Sequence, residues 1–154
     1  MDFSDLGEIS KILVYVVPVI ILLVVNAFFR KQKQQQARLS VVRSLLSEIN
    51  YNQKLMEAFS LQWQTKKFKT ATWKRNKDKM DYIDSGLRYT LADAYEIAEG
   101  FNREIDAAKK HKSVSYLAGI RMDRLKEPLA KSKQGLEEWL ALNQSKGKLP
   151  TGAQ

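Results

Sequence analysis

The sequence predicts an all-α protein: one N-terminal transmembrane helix followed by an antiparallel cytoplasmic bundle of three helices, or four if Pro128 divides the last. Three observations carry this expectation. Residues 12–29 form an uncharged apolar run. Behind it, apolar residues recur at helical intervals. Glycine and proline together number only ten in 154 residues, and 10% of the chain is aromatic, a composition that suits a packed helical body better than a disordered tail. The chain then divides into a short acidic extracytoplasmic N-terminus (1–11), a transmembrane helix (12–29), a cytoplasmic bundle (30–143) and a flexible C-terminal tail (144–154).

The anchor rests on Ile12 to Phe29, 18 residues of which fourteen are Ile, Leu, Val or Phe. At a helix centre these residues together favour insertion by roughly 4 to 8 kcal/mol. At about 1.5 Å per residue the run spans roughly 27 Å, enough for a bilayer core. Pro18 removes one backbone donor, which membrane helices tolerate, and Asn26 lies near the basic end. Val25-Asn26-Ala27 could pass for a signal-peptide cleavage site. However, the flank before the run is acidic (Asp2, Asp5 and Glu8 against Lys11), where a signal peptide begins basic.

Charge sets the orientation. Arg30, Lys31, Lys33 and Arg38 follow the run with no acid before Glu48, and basic flanks stay in the cytoplasm. The N-terminus is therefore expected outside and the body, with 25 bases and 14 acids, inside. The glycosylation tripeptide Asn143-Gln144-Ser145 points the other way, but a three-residue pattern is common by chance.

Residues 30–38 are good helix formers, so the anchor is expected to run straight into the first bundle helix. Leu39, Val42, Leu46, Ile49, Met56 and Phe59 mark its apolar face, with Gln53 as a polar interruption and an end near residues 62–66. Residues 65–75, TKKFKTATWKR, lose the period and read as a connection. A second helix beginning between Trp73 and Asp78 carries the cleanest pattern: Met80, Ile83, Leu87, Leu91, Ala94, Ala98, Phe101, Ile105 and Ala108, a heptad seam. Asp84–Arg88, Glu99–Arg103 and Asp106–Lys110 read as pairs along that helix. Gly86 and Gly100 suggest close packing or a bend. After the basic turn KKHKSVS, where Ser113 can cap the next start, a third helix carries Leu117, Ile120, Leu125, Leu129, Leu136, Trp139 and Leu140. Pro128 is expected to kink or restart it.

Chemistry is sparse. There are no cysteines, which excludes disulfides and thiolate metal sites. His111 stands alone in a basic turn. Asp81/Asp84 and Glu137/Glu138 read as solvated carboxylates, and no phosphate loop, nucleophile elbow or metal motif occurs. Neither a cofactor nor an enzymatic activity is expected.

Two basic groups are candidates for binding. Arg30, Lys31, Lys33 and Arg38 can meet anionic headgroups at about 1 kcal/mol each. Lys66, Lys67, Lys69, Trp73, Lys74, Arg75 and Lys77 belong to WQTKKFKTATWKRNKDK, residues 63–79, where bases interleave with Trp63, Phe68 and Trp73. Such a stretch can meet an anionic partner surface, lipid headgroups or nucleic acid. The plainer reading is that its aromatics cap the core while its lysines face water.

The expected function is a membrane-anchored scaffold or interaction protein with the lipid bilayer and a protein partner or second copy as partners. A membrane-tethered nucleic-acid-binding module and an accessory subunit of a larger membrane complex are the alternatives. In layout alone, the chain resembles the stalk b subunits of rotary ATPases, which also place one membrane helix before a long cytoplasmic helix. The turns near 65–75 and 110–113 interrupt any continuous stalk.

Overall fold

The computed structural model describes residues 3–58, 66–113, 115 and 121–145, with the side chains of 3–15 and 145 left out. Among these residues there are four helices and no strand: α1 (Phe3–Glu57), α2 (Ala71–Asn76), α3 (Ser85–His111) and α4 (Asp123–Ser145), with a 3-10 turn at Lys77–Lys79 between α2 and α3. The chain forms two compact units, Met1–Arg38 and Leu39–Gln154. The predicted tail falls almost wholly outside the described residues, as do Phe59, Trp63, Leu117 and Ile120.

In the first unit the chain is helical from Phe3, and Pro18 lies within the helix. From Val16 to Phe29, eleven large apolar side chains are each between 43% and 68% exposed. Among the described residues, no helix is long and apolar enough to cross a membrane.

The second unit is a helical bundle. Its core draws on Val42, Leu45 and Ile49 of α1, Leu91, Tyr95 and Phe101 of α3, and Leu125, Leu129 and Leu136 of α4. All nine residues of the predicted seam are buried. Met80 and Ile83, however, precede the helix, which starts at Ser85 and not between 73 and 78. The reason is local: Asp84 is the N-cap, and its Oδ1 accepts a hydrogen bond from the Leu87 N–H at 2.9 Å, satisfying an orphan donor of the first turn. At the other end Lys112 adopts a left-handed conformation, φ 49°, and the Ser113 N–H donates to the Ala108 carbonyl at 3.2 Å. That six-to-one bond closes the helix as a Schellman turn. Ser113 Oγ then accepts from the Ser115 N–H at 3.4 Å.

Helices α3 and α4 pack antiparallel. Ser132 Oγ donates to the Thr90 carbonyl at 3.4 Å, and the Trp139 indole N–H donates to the Tyr82 carbonyl at 3.3 Å. Their close approach falls at Gly135, where a Cβ would stand 2.6 Å from Leu87 Cδ1. Gly86 is close-packed only locally, where an added Cβ would meet the capping Asp84 Oδ1 at 3.1 Å, and Gly100 is not close-packed, its nearest contact being Arg103 at 3.8 Å. Pro128 lies in the second turn of α4 and does not divide it. The fourth helix is α2, inside the segment expected to be a plain connection.

The order of the bundle also differs from expectation. The returning element after α1 is the segment 66–84, not α3. Its contacts run backwards along α1 (Lys69 to Asn52, Thr72 to Glu48) and along α3 (Phe68 to Asn102, Trp73 to Tyr95). The bundle part of α1 and α3 therefore share a direction. Helix α1 ends at Glu57, ahead of the expected 62–66.

Candidate functional site

The best-defined polar constellation lies where the returning segment threads between α1 and α3. Asn52, fully buried on α1, pairs with both backbone groups of Lys69: Nδ2 donates to the carbonyl at 2.8 Å, and Oδ1 accepts from the N–H at 2.8 Å. Asn102 on α3 does the same for Phe68, at 2.9 and 2.8 Å. Each side-chain amide acts as a peptide unit would in a sheet. Two consecutive residues of a non-helical segment thereby have all four backbone groups satisfied by helices that flank them. Glu48, also buried, adds an anchor: its Oε2 accepts from the Thr72 N–H at 3.0 Å.

Aromatics complete the clasp. Trp73 stacks on Tyr95 with centroids 5.2 Å apart and rings within 1° of parallel, and Phe68 lies against Phe101 at 5.9 Å. The Tyr95 hydroxyl and Glu48 Oε1 are buried with no hydrogen-bond partner among the described residues. Burial first, and then the nearby Glu48 carboxylate, push the Tyr95 hydroxyl far above the ordinary tyrosine range.

Two open grooves flank the segment. The larger, about 750 Å³, lies between it and α3 and is lined by Lys67, Lys69, Lys74, Glu99, Arg103 and Asp106, among others. Its charges are largely paired across elements: Lys67 with Asp106 at 2.6 Å and Lys74 with Glu99 at 3.3 Å. Glu99 and Asp106 were expected to pair along α3 with Arg103 and Lys110. Likewise Arg88 reaches Asp81 at 3.7 Å, since Asp84 is committed to its cap. The smaller groove, about 460 Å³, lies on the α1 side and is lined by Arg43, Leu46, Ser47, Asn50, Tyr51, Lys54 and Lys69.

The candidates read from sequence therefore separate. Phe68 and Trp73 are core residues, 3% and 9% exposed, and Trp73 offers no ring face to a ligand. Lys67 and Lys74 are held in ion pairs. Lys69 sits over the Tyr51 ring, 4.0 Å from its centroid. Lys66, Arg75 and Lys77 are exposed, as are Arg30, Lys31 and Lys33, while Arg38 is half-buried. His111 is the exposed last residue of α3. Sequence reasoning missed Glu48, Asn52 and Asn102. A signal existed on α1: Leu45, Ile49, Asn52 and Leu55 follow helical steps of three and four, so a polar residue stood in a core position. Among the described residues no three His, Cys, Asp or Glu side chains gather as a metal site. No protein family, curated protein or solved structure matches the chain.

Proposed function

We propose that the chain is a single-pass membrane-anchored scaffold that presents a basic helical bundle to a protein partner, or to a second copy, on the cytoplasmic side. The observation that carries this reading is the sleeve of eleven exposed apolar side chains from Val16 to Phe29. Contiguous apolar surface of that extent demands cover from lipid or protein. Ile12 to Tyr15 extend the same uncharged run to 18 residues, the length a bilayer core requires. Arg30, Lys31 and Lys33, exposed immediately beyond it, favour the cytoplasmic face for the bundle.

A protein partner accounts for the bundle better than nucleic acid does. Base stacking needs open aromatic faces, and the faces that suggested it, Phe68 and Trp73, are in the core. An accessory role in a larger membrane complex is the same reading with the partner embedded in lipid.

Alkaline carbonate extraction of membranes from cells making the full chain tests the anchor. The wild type stays in the pellet. Ile20→Asp combined with Leu22→Asp costs about 5 to 7 kcal/mol at the bilayer centre, comparable with the whole insertion gain, and moves the chain to the supernatant. Protease added outside sealed cells leaves the C-terminal portion intact. Wild-type chain released by carbonate, or a C-terminal portion digested from outside, refutes the anchor or its orientation. Crosslinking in membranes tests the scaffold: a body that stays monomeric and recovers no partner defeats it.

A further inference from the structure

We propose that the smaller groove beside α1 is a binding site for a phosphate-bearing anion, held by Arg43, Lys54 and Lys69. The inference does not depend on the membrane anchor. Arg43, Ser47, Asn50 and Lys54 recur along α1 at steps of four, three and four, so they form one stripe of a helix. Over 11 residues that stripe is about 16 Å long. Lys69 faces it from the returning segment, and these residues with Leu46 and Tyr51 line the groove. Every polar side chain in the lining can donate a hydrogen bond, and no carboxylate is among them.

The contrast with the larger groove gives the charge its meaning. There the lysines of the same segment are neutralised, Lys67 by Asp106 and Lys74 by Glu99. On the α1 side no carboxylate pairs with Arg43, Lys54 or Lys69 among the described residues. Lys67 and Lys74 are thus ion-paired, while Lys69, which lines both grooves, has its ammonium on the α1 side over Tyr51 with no carboxylate partner among the described residues. Three cations that line one groove with no carboxylate among them leave its positive potential uncompensated, which favours an anion there.

Lys69 is also the best-fixed lysine of the group. Both its backbone groups are bound by the buried Asn52, and its ammonium rests on the Tyr51 ring. Little of its freedom remains to be lost on binding. A guanidinium, two ammoniums, a hydroxyl and an amide spread over two elements suit the several oxygens of a phosphate chain or phosphorylated headgroup better than a planar carboxylate.

The test uses the full chain in nanodiscs and isothermal titration. Neutral-lipid discs are titrated with inorganic triphosphate and with citrate. A second set of discs, doped with a phosphoinositide, is titrated with a soluble headgroup competitor, inositol trisphosphate. The expected result is triphosphate binding that Arg43→Gln and Lys69→Gln each weaken at least tenfold, while Lys77→Gln, an exposed cation outside the groove, stays within twofold. Lys69→Gln leaves the backbone bonds to Asn52 in place and loses only the contact with the Tyr51 ring, so the variants should still melt cooperatively and close to wild type. The same pattern of variants seen only in the doped discs also supports the site and assigns the anion to lipid. Absence of binding in both sets overturns the proposal. So does equal weakening by Lys77→Gln, which would mark diffuse charge, or citrate binding as tight as triphosphate.

Discussion

Asn52→Leu is the sharpest perturbation of the bundle. Leucine nearly conserves volume, so no large cavity is created. What it removes is both hydrogen bonds to Lys69, each 2.8 Å long. At about 1 kcal/mol net per bond the loss is at least about 2 kcal/mol, and an N–H and a C=O left dry raise it further. Lys69 itself is exposed, so water can reach part of its backbone and the upper bound stays near about 4 kcal/mol. The assay is denaturant unfolding of the full chain in detergent, followed by tryptophan emission, with hydrogen exchange at the Lys69 amide as the local readout. A loss of that size lowers protection at this amide by roughly 30- to 1,000-fold. Lys69→Gln, which keeps the backbone bonds and loses only the contact with the Tyr51 ring, should change stability by no more than about 1 kcal/mol. An Asn52→Leu chain with wild-type stability and wild-type exchange at Lys69 would show that the clasp contributes nothing.

Other single contacts give further outcomes. Asp84→Ala removes the side-chain cap of α3 and should cost about 1 kcal/mol by denaturant unfolding, with Asp84→Asn retaining most of it. Gly100→Ala meets only an ordinary contact with Arg103 and should stabilise by up to about 1 kcal/mol through helix propensity, whereas Gly135→Ala drives into the buried Leu87 and should destabilise by about 1 kcal/mol or more after that gain is offset; stabilisation by both would remove the close approach of α3 and α4. Tyr95 titrates higher in the folded chain than its ordinary value of 10.0, so the unfolded chain releases this proton first. Its contribution is complete below about pH 10 and declines as pH rises beyond it. Tyr95→Phe should therefore flatten the fall in stability above about pH 10, and an unchanged slope would contradict the burial of the hydroxyl.

Much of the bundle was legible because burial imposes a period on a helix. From Leu87 to Ala108 the apolar spacing alone identified the face of α3 that packs. Glycine-poor composition and the absence of breakers between residues 30 and 57 likewise sufficed for the continuity of α1. Periodicity says which residues are buried, not what conformation buries them. Met80 and Ile83 kept the rhythm of α3 while lying ahead of its cap, because a core accepts apolar side chains from a turn as readily as from a helix.

Partners were decided only by tertiary structure. Glu99 and Asp106 had plausible bases four residues on, yet each pairs with a lysine from the returning segment. Helix-surface ion pairs are worth only a few tenths of a kcal/mol, too little to hold a carboxylate against a lysine that packing brings within reach. Asn52 and Asn102 looked like ordinary polar residues, 50 positions apart, until the chain between them folded back and its backbone needed donors and acceptors. Helix faces, the apolar run and its basic flank are local properties and can be read along the chain. The clasp, the neutralised groove and the one left cationic depend on which distant segments meet, and no spacing along the chain encodes that.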